Sequence, residues 1–103
     1  MADLTQPPDI DEALRRLIEQ PSYGAQILIV TARMLEMDAA EPTTWTARRR
    51  AWNIAIDAVL GRLPEAVRHD SIERAQRALP DLTGSITRGE AALRLRAAAE
   101  RLG

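Results

Sequence analysis

His69, Asp70 and Ser71 are consecutive, so an imidazole, a carboxylate and a hydroxyl adjoin within this chain of 103 residues. Those groups could make a nucleophile, a base and an orienting partner, but only if they converge in space. Ser71 directly follows a capping signature at Asp70, which puts its hydroxyl in the first turn of a helix. His69, the sole histidine, reads as an exposed residue at a helix break. With one His and no Cys, a metal site could be built only from carboxylates. The acids occur singly or in capping positions, and no Asp-rich loop of the calcium-binding kind is present. Thr83-Gly84-Ser85 is too short to cradle a phosphate and has no Lys after it. The expectation is a non-enzymatic protein without cofactor or metal. A carboxylate and Arg site near His69 is the one exception kept open.

Arg48-Arg49-Arg50, flanked by Trp45 and Trp52, offers a different chemistry. Guanidinium groups neutralise phosphates and indoles stack on bases. Three consecutive helical residues fan out around the axis, however, and cannot form one patch alone. Trp45 and Trp52 are seven residues apart, so both are expected on an inward seam, with Arg49 near enough to stack on an indole. Arg94, Arg96 and Arg101 add basic groups to the terminal helix. Arg48, Arg49, Arg50, Arg94, Arg96 and Arg101 are therefore the candidate nucleic-acid contacts. The stretch from Ile86 to Leu95 resembles the first helix of excisionase-type winged-helix DNA readers. That resemblance implies a turn and a recognition helix next, whereas the helical pattern here runs on from Arg96 to Leu102.

All 14 basic residues are Arg, which a GC-rich coding sequence produces and which points to a bacterial or phage origin. The net charge is −1 but is unevenly spread. Residues 1–47 hold 3 Arg against 8 acids, and residues 48–103 hold 11 Arg against 7. Such halves can neutralise each other, pair with a copy, or face an acidic partner. Apolar residues make up 46% of the chain, but many are Ala, none is Phe, and only Tyr23, Trp45 and Trp52 are aromatic. Ala is the strongest helix former, so the composition leans to helices. The start, Met1 to Pro8, lacks the features of a signal peptide, and no apolar run is long enough to span a membrane. The expected location is the cytoplasm.

The elements follow from caps and periodicity. Residues 1–8 read as a flexible leader and 9–103 as one helical domain. Asp9 with Glu12 opens a first helix whose inner face is Ile10, Leu14, Leu17 and Ile18, closed by Pro21. Ser22 caps a second helix running to about Asp38. Thr43 or Thr44 caps a third, stopped by Gly61 and Pro64. A short turn from Glu65 to Arg68 is expected to break near His69, with Asp70 and Glu73 opening a new helix to Leu79 before Pro80. Residues 81–86 are loop, and Thr87 with Glu90 caps a last helix to Leu102. The fold class is all-α, a compact bundle of about five short-to-medium helices with short connections.

Two of these helices have more apolar surface than one face can hold. On the second, Ile27, Val30, Met34 and Met37 form one stripe, and Leu28, Ala32 and Leu35 another. On the third, Trp45, Trp52, Ile56, Val59 and Leu63 form a heptad-type seam, while Ala47, Ala51, Ile54 and Ala58 lie on the reverse. A helix apolar on two sides is central in its domain or shared with a partner. The expected function is a protein-interaction module that self-associates, as a homodimer, or docks to a protein partner. Its candidate interface is Met34, Met37, Trp45, Trp52 and Ile54. The alternative is a small nucleic-acid-binding regulator.

Overall fold

Ser22 opens the first described helix by accepting the Ala25 N–H on its hydroxyl at 3.2 Å. The computed structural model describes residues 20–103, which form four helices: α1 (Tyr23–Glu36), α2 (Trp45–Leu60), α3 (Glu65–Ala78) and α4 (Arg88–Leu102). The described residues are all-helical apart from their connections and contain no strand. The leader at 1–8 and the helix expected from Asp9 lie outside the described residues, which hold four helices.

Three helix starts are set by the side chains that the sequence marks. Ser22 caps α1, Thr44 accepts the Ala47 N–H at 3.0 Å, and Thr87 accepts the Glu90 N–H at 3.1 Å. Each satisfies an amide that the helix cannot bond internally. α4 then runs without interruption to Leu102, so no turn breaks it after Leu95, where the excisionase-like pattern calls for one.

The expected break at His69 does not occur. α3 is one helix from Glu65 to Ala78, with Pro64 before its first residue. Asp70 is therefore interior and pairs with Arg74 at 3.0 Å, while Glu73 reaches Arg77 at 3.6 Å. The carboxylates that imitate a capping box here serve i,i+4 ion pairs. Ser71 is buried, and its hydroxyl donates to the Val67 carbonyl at 2.7 Å.

α1 is the hub, packing against α2, α3 and α4, with α4 as its main partner. Its buried residues are Gly24, Ala25, Ile27, Leu28, Thr31, Ala32 and Leu35. Opposite them, α4 buries Ala91, Ala92, Leu95, Ala98 and Ala99, so small residues bring the two axes close and Leu95 fills the space between. The tightest approach is at Gly24. A Cβ there would stand 3.2 Å from Leu102 Cδ2 and 3.3 Å from the Ser71 carbonyl oxygen. The stripe of Ile27, Val30, Met34 and Met37 is absorbed unevenly. Ile27 is fully buried, Val30 and Met34 are half-buried, and Met37 is 74% exposed.

Residues 37–44, linking α1 to α2, are strapped to the start of α4. The Thr43 N–H donates to Ile86 O at 3.0 Å, Arg88 N–H to Glu41 O at 2.8 Å, and Gly89 N–H to Ala39 O at 2.9 Å. These bonds hold the α1–α2 connection against the start of α4. A groove between α1 and α2 is thereby shaped by backbone as well as by packing.

Candidate protein-docking surface

The groove lies between the C-terminal half of α1 and the N-terminal half of α2. Met34, Leu35 and Met37 form one wall, and Ala47, Ala51 and Ile54 form the other. Its volume is about 450 Å³, with Thr44, Thr46, Arg50, Asp38 and Arg88 at the rim. The structure thus brings together three of the five residues of the sequence-derived interface, Met34, Met37 and Ile54. Trp45 stands on the neighbouring surface with Arg49, Arg50, Asn53 and Ile54.

Trp52 goes elsewhere. It is half-buried against the core. It also lines a smaller cleft of about 220 Å³ with Thr31, Leu35, Leu79, Leu82 and Leu95 on the other side of α2. Trp45 rims that cleft too but is 66% exposed, so the expectation that both indoles share an inward seam holds for Trp52 alone. The reason is positional. Trp45 is the first residue of α2, and the buried face of that helix is centred on Ala51 and Ala55 deeper in the sequence. The Arg49 guanidinium carbon sits 5.5 Å from the Trp45 ring centroid, as the spacing suggests.

The six candidate nucleic-acid arginines split by environment. Arg48 is half-buried and donates to the Thr43 hydroxyl at 3.0 Å. Arg94 donates to the Asp81 carbonyl at 3.0 Å and pairs with Glu90 at 3.5 Å. Arg96 makes a bidentate pair with Glu36, both bonds 2.7 Å. Arg49, Arg50 and Arg101 have no ion-pair partner among the described residues. On α4, Arg94 and Arg96 are paired with acids and Arg101 is not, among the described residues, while on α2 Arg50 at the groove rim and its neighbour Arg49 are left in solvent.

Ion pairing also fixes the electrostatics beside the groove. Hydrogen bonding from Arg96, aided by its charge and that of Arg33, holds the Glu36 carboxyl below its ordinary range despite some desolvation. The same bond raises Arg96 above its ordinary value. Arg88 reaches Asp38 at 3.4 Å and the Pro42 carbonyl at 3.3 Å, which anchors the rim. Asp81 is lowered by hydrogen bonds from the Thr83 hydroxyl and N–H.

No constellation forms around His69. It is exposed on α3, 3.5 Å from Glu73, while the neighbouring Ser71 hydroxyl is buried and engaged with backbone. Among the described residues no group of three or more His, Asp or Glu could hold a metal ion, and no helix is long and apolar enough to cross a membrane.

Some exposed apolar residues escaped the sequence reading. Leu93, 63% exposed on α4, is off the Ala91, Leu95, Ala98, Leu102 stripe, and that off-stripe position was the signal that could have found it. Arg88 locks the α1–α2 connection through a contact 50 residues away, which no local pattern encodes. Compared with known proteins, the chain matches no protein-family model, no curated protein and no solved structure.

Proposed function

We propose that this is a non-enzymatic helical interaction module that acts by docking a protein surface, its own copy or a partner, at the α1–α2 groove. The observation that carries the reading is the group of large side chains left in solvent at the groove and beside it: Met37 at 74% and Ile54 at 38% exposure in the groove, and Trp45 at 66% on the neighbouring surface. Met, Trp and Arg are the residue types enriched where protein interfaces bury most. A folded monomer gains nothing from leaving them in water. In this reading the protein works in the cytoplasm.

The test uses Met37→Asp and Ile54→Asp. Both sites are exposed, so circular dichroism and thermal melting are expected to stay close to wild type. Bound protein, or association measured by light scattering, is expected to be lost. Folded variants that retain every binding partner and the same mass as wild type would remove the reading.

A second reading, a small nucleic-acid-binding regulator, draws on one observation. Trp45 is exposed with the Arg49 guanidinium over its ring and Arg50 nearby, an arrangement suited to stacking on an unpaired base. It expects binding to single-stranded oligonucleotides that quenches tryptophan fluorescence and weakens steeply with salt. The absence of any shift at low salt would discard it.

A further inference from the structure

The outer flank of α2 carries Ala47, Ile54 and Ala58, continued by the C-cap Gly61, at intervals of 7, 4 and 3. That is the interval pattern of a seam between helices. Ala47 is half-buried, and Ile54, Ala58 and Gly61 are exposed. α1 meets α2 mainly on the adjoining face, through Ala51 and Ala55, and leaves this strip open. Three small residues around one Ile allow another helix to approach closely.

Charge names the occupant. Arg50 and Asp57 border the strip on its solvent side, seven residues apart and so on the same side of the helix. Both are exposed, and neither has an ion-pair partner among the described residues. Arg50 lies four residues before Ile54 and Asp57 three after it. In an antiparallel pair with a two-fold axis at Ile54, Arg50 of one copy therefore falls opposite Asp57 of the other. The mismatch is one residue, about 1.5 Å of helix rise. The same pair recurs on the other side of the axis. A two-fold contact requires a patch complementary to itself, and this strip meets that condition in shape and in charge.

We propose that the docking surface receives a second copy of this chain, with the two α2 helices antiparallel, Ile54 at the axis and two Arg50–Asp57 pairs across it. A standard interface takes about 800 Å² from each protomer. One helix flank supplies part of that, and Met34 and Met37, on the groove wall facing Ile54, extend the apolar area. This inference rests on the docking reading and narrows it to one partner.

The experiment is light scattering across a concentration series on wild type, R50D, D57R and the R50D/D57R double variant, each checked for folding by circular dichroism. Wild type is expected at twice the 11.4 kDa chain mass. Each single reversal sets like charges opposite each other twice per dimer and is expected to weaken association about tenfold or more. The double reversal restores both pairs and is expected to return the dimer. A wild type that stays monomeric at every concentration overturns the inference, and the docking reading is then judged separately by Ile54-dependent capture of a different protein. A dimer indifferent to the single reversals, or not rescued by the double one, overturns the α2 seam.

Discussion

The α1–α4 contact and the outer strip of α2 are built from the same residue types yet meet opposite fates. On α4, Ala91, Ala92, Leu95, Ala98 and Ala99 are buried against α1, and the seam is locked at one end by Glu36 and Arg96. On α2 and its C-cap, Ala47, Ile54, Ala58 and Gly61 present a comparable row of small residues around one large one, but α1, α3 and α4 leave it open. The charges follow the same division: α4 has Arg94 and Arg96 paired with acids, while Arg49, Arg50 and Asp57 on α2 remain unpaired among the described residues. The lesson is that a small-residue helix face specifies close helix packing without specifying whether the partner helix lies in the same chain.

Truncating a large side chain on each surface separates the two most strongly. Leu95 is fully buried, so Leu95→Ala is expected to cost about 2–5 kcal/mol through lost burial and a residual cavity. Ile54→Ala is expected to change the stability of the isolated chain by no more than about 0.5–1 kcal/mol. Urea unfolding at a concentration low enough to prevent association measures both. Equal costs would break the comparison, because Ile54 would then belong to the core.

Overpacking gives the next contrast. Gly24 sits where α1, α3 and α4 converge, and Gly24→Val adds a branched side chain where even a single Cβ would stand 3.2 Å from Leu102 and 3.3 Å from backbone. The expected loss is about 1–3 kcal/mol. Ala58→Val, on the open strip, is expected to stay within about 0.5 kcal/mol in stability. In a light-scattering series Ala58→Val is expected to weaken any dimer, since it widens the gap between the two α2 helices.

How much of this was legible beforehand depends on the reach of each signal. Ser22, Thr44 and Thr87 announced their helices because a cap acts within three residues of itself. The hub position of α1 was legible in its two apolar stripes. Asp70 misled because an acid followed three residues later by Glu serves equally well as a cap or as part of a ladder of i,i+4 pairs. Only the continuity of α3 decides between them. Trp45 was assigned inward by a heptad interval that is correct for Trp52, but an interval fixes a direction around the axis and says nothing about where neighbouring helices end. The Arg88 and Arg96 contacts to the end of α1 join residues 50 and 60 positions apart, which no periodicity records.

The smallest expected effect tests whether pairing, and not burial alone, closes the α1–α4 side. Both partners of the Glu36–Arg96 pair keep more than a third of their side-chain surface in solvent, so screening limits its worth to about 1 kcal/mol or less despite the bidentate geometry. Because the Glu36 carboxyl is held below its ordinary range in the folded chain, its contribution is complete above the unfolded value of about 4.3. It is lost as pH falls through that value and on through the lowered folded one. Glu36→Gln is therefore expected to be less stable than wild type near pH 7 and to converge with it in acid. Asp81 is lowered as well and bends both curves alike, so the difference between the two proteins isolates Glu36. Arg50→Gln, which removes a cation with no folded partner, is expected to show no such pH-dependent gap. A gap for Arg50→Gln in the monomer would place Arg50 in a pair within its own chain and remove the charge argument for the open strip.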